Sequence, residues 1–258
     1  MAAQRIRIVI SGANGHMGRT LARMIAEDAQ TETVAGVDIA AVKTGDFPVY
    51  LDPMEFGGEA DVVVDFSSPS ALDALLRYAV KRKIPLVLCT TGHTAEQLDA
   101  VRAASREAPI FRAGNMSLGI NLVAELIKRA AEVLGDGYDA EIVERHHRRK
   151  VDAPSGTAIM LADALREAKP DGTQLVFGRA DRREARPREE IGIASVRGGT
   201  IVGDHEVIFA GTDEIIEIRH TAYSREVFAV GAVRAAKFMA GVKKPGMYDM
   251  SDLLAQRK

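Results

Sequence analysis

The residues from Glu144 to Thr157 read Glu-Arg-His-His-Arg-Arg-Lys-Val-Asp-Ala-Pro-Ser-Gly-Thr. Arg145, His146, His147, Arg148, Arg149 and Lys150 follow one another without a break, so cations and imidazoles crowd one short segment. Pro154-Ser155-Gly156-Thr157 then opens an apolar pattern in which Ala158, Leu161 and Leu165 recur at helical spacing. The first turn of a helix has unpaired N–H groups and a partial positive charge, which makes it a seat for an anion. Lys adds a fixed cation, and His adds a proton donor usable near neutral pH. Together these types predict a site that holds a small acidic substrate and protonates it. A basic run is also what a solvated face or a nucleic-acid contact looks like. The formal net charge of −2 leaves no wider basic footprint for a phosphate backbone, yet both readings stay open on these residues alone.

A second constellation lies at the start of the chain. Arg5–Ser11 is a short apolar run of the kind a buried parallel strand requires, and Gly12-Ala13-Asn14-Gly15-His16-Met17-Gly18 follows it directly. Leu21, Ala22, Met24 and Ile25 then continue as a helix. In this strand–turn–helix order Gly12 permits the tight turn, Gly15 lets backbone approach a pyrophosphate, and Gly18 allows close helix–strand packing. A second strand, Thr33–Val37, ends at Asp38, a carboxylate placed to accept hydrogen bonds from ribose hydroxyls. The spacing predicts dinucleotide binding.

The elements that position these groups alternate. Strands are expected at Ala60–Phe66, Pro85–Cys89 and Pro109–Arg112, with helices over Pro69–Arg82 and Thr94–Ala108. Such βα alternation predicts a parallel, doubly wound sheet whose ligands gather at the carboxyl ends of the strands. Phe66, Ser67, Thr90, Thr91, Gly92, Ala113, Gly114, Asn115 and Met116 therefore join the candidate cofactor rim. The organisation then changes. A helix over Leu118–Leu134, a strand over Asp139–Val143 and a helix over 157–168 precede Arg179–Glu190, whose mixed charges and Pro predict a mobile, exposed loop. Ile191–Val196, Ile201–Phe209 and Glu214–Ala222 read as strands of a mixed or antiparallel sheet, joined as hairpins at Gly198-Gly199 and at Gly211-Thr212-Asp213. The last helix, Phe228–Met239, is expected to return to the first domain. The reading is thus an α/β fold, a Rossmann-like domain of residues 1–116 plus 225–258 with a second α+β domain of mixed sheet, 117–224. Too few helices flank the second sheet to cover it, which predicts association with further copies of the chain.

At 258 residues, 47% hydrophobic and 27% charged, the composition is that of a soluble globular protein, and a cytoplasmic one fits best. No apolar run is long enough to span a bilayer. A single cysteine, Cys89, excludes an intrachain disulfide, and the His spacing makes no case for a metal.

The pairing of the Gly12–Gly18 turn with His146-His147-x-x-Lys150-x-Asp152-Ala153-Pro154-Ser155-Gly156-Thr157 resembles the dihydrodipicolinate reductase family. The resemblance spans essentially the whole chain, including Thr90-Thr91-Gly92, Gly114-Asn115, Val196-Arg197-Gly198-Gly199 and Ile201-Val202-Gly203-Asp204-His205. It implies a reductase of the diaminopimelate route to lysine that acts on a cyclic, imine-type dicarboxylate, 4-hydroxy-tetrahydrodipicolinate, with NADH or NADPH. It further implies a central domain for substrate binding and tetramer formation. His146 is then the proton donor and Lys150 a substrate contact that shares the role. His147, Ser155, Gly156 and Thr157 bind the carboxylates. Gly12, Asn14, Gly15, His16, Met17 and Gly18 line the pyrophosphate, and Asp38 the ribose. Neither membrane nor nucleic acid is an expected partner.

The chain departs from the family at two places. Members that favour NADPH carry a basic residue after the ribose acid, whereas Asp38 is followed here by Ile39 and Ala40, and Ser67 by Ser68. A 2′-phosphate would face Asp38 unpaired, so NADH is expected to serve at least as well as NADPH, although His16 and Lys43 are basic residues that could reach a phosphate. Cys89 stands where glycine is usual and is expected only to pack. Two rivals share parts of the pattern. Another two-domain dehydrogenase has the glycine turn but no use for His146-His147 and Lys150 before a Ser-Gly-Thr helix start. An NAD-binding regulator would use Arg145–Lys150 on nucleic acid.

Overall fold

The computed structural model describes residues 4–169 and 173–255. The chain divides into two compact units, Met1–Ser117 with Glu226–Lys258, and Leu118–Arg225.

The first unit begins with β1 (Ile6–Ser11), α1 (His16–Glu27), β2 (Thr31–Val37), β3 (Val49–Tyr50) and β4 (Val62–Asp65). It continues through α2 (Leu72–Arg82), β5 (Leu86–Leu88), α3 (Ala95–Ala104) and β6 (Pro109–Arg112). The C-terminal part of the chain adds α6 (Glu226–Ala240), β12 (Gly246–Tyr248) and α7 (Met250–Ala255). The strands form one parallel sheet in the order β12-β6-β5-β4-β1-β2-β3. They are apolar almost throughout because both faces are covered. Val9, Val63, Leu86, Leu88 and Ile110 pack with Leu75, Leu76 and Ala79 of α2 and Val101 of α3. Helix α6, which holds the expected Phe228–Met239 but is followed by α7, packs on α1 and on β4 and β5. The short strands β3 and β12, of two and three residues, and the six-residue helix α7 were not anticipated, since segments this short carry no measurable period. Pro69 opens a turn of 3₁₀ helix over Pro69–Ala71, and the α-helix starts only at Leu72. The helix expected to reach Ala108 ends at Ala104.

The second unit holds α4 (Leu118–Leu134), β7 (Asp139–His146), α5 (Gly156–Glu167), β8 (Gln174–Val176), β9 (Glu190–Arg197), β10 (Gly203–Ala210) and β11 (Ile215–Ala222). Its mixed sheet runs β11-β10-β7-β9-β8. The β10–β11 hairpin forms, whereas the hairpin expected at Gly198-Gly199 does not. β7 inserts between β9 and β10, antiparallel to β10 and parallel to β9. One sheet face carries Ala140, Ile142, Ile191, Ile193, Val207 and Phe209, buried with Ile120, Val123 and Ile127 of α4 and Leu161 and Leu165 of α5. The segment Arg179–Glu190 is irregular and mostly exposed, but it is tethered to the sheet. Arg179, Arg182 and Arg186 are half-buried and grip Glu141, Glu190 and Asp139, while Glu190 is buried at the start of β9. Asp181, Arg183, Glu184, Arg188 and Glu189 stay exposed. Among the described residues no helix is long and apolar enough to cross a membrane.

Candidate active site

Strand β7 is three residues longer than its apolar pattern, and its extension carries the chemistry. Side chains alternate along a strand, so Ala140, Ile142, Glu144 and His146 leave one face while Glu141, Val143 and Arg145 leave the other. The basic run is therefore divided. Arg145 turns away and ion-pairs with Asp204 at 3.1 Å and Glu206 at 2.8 Å. It belongs to neither an anion site nor an open basic patch, which removes a cation from the nucleic-acid reading.

On the helix-covered face Glu144 is fully buried and His146 is 8% exposed. Arg197, from the neighbouring β9, clamps both Glu144 oxygens at 2.7 and 2.8 Å, while His146 Nδ1 lies 2.5 Å from Oε2. The Ser155 N–H donates to Oε1 at 3.2 Å. Burial raises the Glu144 carboxyl, but the hydrogen bonds from Arg197, Ser195 and His146 outweigh it and bring it down to about 2. Burial lowers His146; Glu144 opposes that effect, and Lys150 and Arg197 add to it by like-charge repulsion. His205, from β10, meets His146 edge-on with ring centroids 5.1 Å apart, and burial together with His146 brings it down to about 4. Its Nε2 pairs with Ser155 Oγ at 3.0 Å.

Ser155 caps α5, its Oγ accepting from the Ala158 N–H at 3.1 Å. The helix thus starts at Gly156, one residue before the expected 157, and Gly156 and Thr157 form its first turn beside the Glu144 anchor. Lys150 is half-buried and holds Asp152 at 2.9 Å. His147 is half-buried, with Nδ1 in contact with no hydrogen-bond partner among the described residues. His146, Lys150 and Ser155 are accordingly brought together, with Gly156 and Thr157 at the helix mouth. Glu144, Arg197 and His205 were not assigned from the sequence. The alternation of a strand through Glu144 and His146 was the available signal for the first; the other two come from strands more than fifty positions away.

The first unit supplies a backbone-built cradle. Gly12 sits at φ +77°, and a Cβ there would stand 2.5 Å from the Phe66 carbonyl oxygen. A Cβ at Gly18 would meet the Gly12 carbonyl oxygen at 2.0 Å, so α1 can approach β1 only without that atom. Gly15 caps α1 without a side-chain bond, which leaves the first turn with His16 and Met17 open to an anion. Asp38 accepts from the Asn14 N–H at 2.8 Å. A cavity of about 550 Å³ is lined by Gly12, Asn14, Gly15, Asp38, Phe66 and Ser67, and also by Leu51, Pro53, Ser68, Ser70 and Leu75, but not by Met17 or Gly18. No Lys, Arg or His lines it; His16 and Lys43 stand outside. Thr90, Thr91 and Gly92 follow β5, and Gly114, Asn115 and Met116 follow β6, along the same carboxyl edge of the sheet but outside this cavity. Met116 is buried under α6, where a Cβ at Gly231 would stand 1.6 Å from its carbonyl oxygen. Cys89 is buried, as expected of a packing residue.

Residues 6–116 match the model of the dihydrodipicolinate reductase N-terminus, and residues 119–254 match that of the C-terminus. The chain belongs to the dihydrodipicolinate reductase family. A 4-hydroxy-tetrahydrodipicolinate reductase of Caldanaerobacter subterraneus subsp. tengcongensis is 54% identical over 96% of this chain and 98% of that protein. One from Clostridium tetani is 47% identical over 96% of this chain and 97% of that protein. The solved structure of a dipicolinate-bound dihydrodipicolinate reductase from Paenisporosarcina sp. TG-14 superimposes with a TM-score of 0.78 at 25% identity, covering 95% and 98% of the two chains. Membership in this reductase family accounts for a parallel dinucleotide-type sheet and a separate mixed sheet in one chain.

Proposed function

We propose that the protein reduces 4-hydroxy-tetrahydrodipicolinate to tetrahydrodipicolinate with NAD(P)H in the diaminopimelate route to lysine. His146 acts as proton donor. The observation that carries this reading is the buried His146 held 2.5 Å from an ionised Glu144 whose other oxygen anchors the first turn of α5. In a family of reductases, that arrangement sets a proton source beside a helix N-terminus suited to carboxylates.

The cofactor fits the first unit. Gly12 and Gly18 let the strand, turn and helix close up with no side chain between them, and the Asn14 and Asp38 pair stands at the end of β2 for a ribose. Gly12, Asn14, Gly15, His16, Met17, Gly18, Asp38, Phe66 and Ser67 would hold the dinucleotide, with Thr90–Gly92 and Gly114–Met116 toward the nicotinamide end. Bound reduced nicotinamide supplies the hydride. The chain's own groups do the rest. Lys150, His147, Ser155, Gly156 and Thr157 hold the two substrate carboxylates, and their negative charge raises the His146 pKa toward the protonated form that the reaction consumes. The cavity lacks a cation for a 2′-phosphate, so NADH serves at least as well as NADPH.

The first unit is the dinucleotide domain and the second the substrate and tetramer domain. The face of the second sheet opposite α4 and α5 exposes Val196 at 44% and Ile215 at 64%, which favours a homotetramer through these sheets. Steady-state reduction of enzymically generated 4-hydroxy-tetrahydrodipicolinate tests the activity, and KM values for both cofactors test the preference. A His146→Gln variant should lose the ionisation that governs kcat/KM; an unchanged pH profile would remove His146 from the role. Light scattering that returns a monomer at micromolar concentration would refute the tetramer.

A further inference from the structure

We infer that Glu144 is the positioning residue for the proton transfer: it holds the Nδ1 proton of His146, dedicates Nε2 to the substrate, and ties that nitrogen to the helix mouth that seats the substrate's carboxylates. This inference rests on the reductase reading above.

Glu144 and His146 stand two residues apart on β7, so the pleat itself sets both side chains on one face at a fixed separation. The register of β7 with β9 pairs Glu144 with Ser195 and His146 with Arg197. Arg197 can therefore clamp both oxygens of a carboxylate that has no access to water. A buried carboxylate matched by a bidentate guanidinium is ionised. An ionised carboxylate only accepts, so the 2.5 Å contact requires the proton to sit on Nδ1. Nε2 faces the α-carbon of Gly203, where a methyl would stand 3.2 Å from it. The same carboxylate also takes the Ser155 N–H at the start of α5. One side chain thus fixes the tautomer, the ring plane and the placement of the helix mouth relative to the donor. The charged and titratable groups that face His146 are Glu144 from its own strand, Lys150 from the loop beyond, Arg197 from β9 and His205 from β10.

In the transfer, the Nε2–H bond of the imidazolium breaks and its proton passes to the negative charge left on the substrate by reduction. The ring remains as the neutral Nδ1–H tautomer, Glu144 stays ionised, and water restores the Nε2 proton for the next turnover. A glutamine at 144 would give its carbonyl oxygen to Arg197 and turn its NH₂ toward Nδ1, which selects the opposite tautomer.

The experiment is ¹⁵N NMR of the full-length protein labelled at histidine, with His146→Asn used to assign the signal, alongside kinetics of Glu144→Gln. The wild type should show neutral His146 as the Nδ1–H tautomer. Glu144→Gln should shift the population toward Nε2–H and lower kcat by roughly tenfold or more with little change in substrate KM. It should also move the alkaline limb of the kcat/KM profile to lower pH, because the imidazolium loses its anionic partner. An Nε2–H tautomer in the wild type overturns the inference. So does a folded Glu144→Gln protein whose tautomer and pH profile match the wild type, even if its rate is lower. Should Glu144→Gln fail to fold, the wild-type tautomer decides alone. A wild type without reductase activity refutes the functional reading instead, and the NMR result still reports separately whether Glu144 governs His146.

Discussion

Two regions of one chain are built in opposite ways. The Gly12–Gly18 turn of the first unit is built by leaving atoms out: a Cβ at Gly12 or Gly18 would run into backbone carbonyls, so strand, turn and helix close up only without side chains there. The Glu144–His146–Arg197 cluster of the second unit works by adding charge, buried and balanced across β7, β9 and α5. The first should resist changes of charge and fail on added volume. The second should keep its shape through small volume changes and fail when one partner of the balance is taken away.

Breaking the balance should have the largest effect. Arg197→Ala strands the Glu144 carboxylate in the interior, and denaturant unfolding should show a loss of about 3–5 kcal/mol; a loss under about 1 kcal/mol would mean the cluster is not held by charge. Lys150→Ala removes a half-buried cation from the substrate seat, and kcat/KM should fall by an amount on the order of 3 kcal/mol in transition-state stabilisation, with the fold unchanged by circular dichroism. Gly18→Ala tests the other region: a Cβ 2.0 Å from the Gly12 carbonyl forces α1 off β1, which should destabilise by about 1–3 kcal/mol and raise the cofactor KM. A neutral result there would show that the turn adapts.

Acid also separates the two regions. His205 is lowered to about 4, so between about pH 6.5 and 4 the unfolded chain binds the proton and the folded one does not. Stability should therefore fall as pH falls through that window. Glu144, held at about 2, contributes stability that is present above its unfolded value and is lost as pH drops from about 4.5 toward 2. A His205→Asn variant should flatten the curve between pH 6.5 and 4 in urea titrations, and a curve of unchanged slope would contradict the assignment. Amide exchange in β7 and α5 should rise with acid before exchange in β1 and α1 does.

The same contrast explains what could be read in advance. The turn was legible because its meaning is local: glycines at fixed offsets between a strand and a helix, with Asp38 at the end of the next strand. The motif around His146 was legible as a type of chemistry but misjudged in membership, because Arg145 looked like part of one basic run. The strand period sends it to the opposite face and into Asp204 and Glu206. The exposure of most of Arg179–Glu190 was legible in its mixed charges; that Arg179 and Arg182 are held by Glu141 and Glu190 on the sheet was not.

The amino-acid sequence by itself determined the alternating first unit, the glycine turn with its acid, and the cationic stretch opening a helix, since each follows from periods and spacings within a few tens of residues. Tertiary structure alone decided that β7 lies between β9 and β10, and so that Arg197 reaches Glu144 and His205 reaches Ser155. The physical reason is that sheet order is chosen by burial of the whole apolar face against α4 and α5. No local glycine signal encodes which strand will lie beside the one that carries the acid and the imidazole.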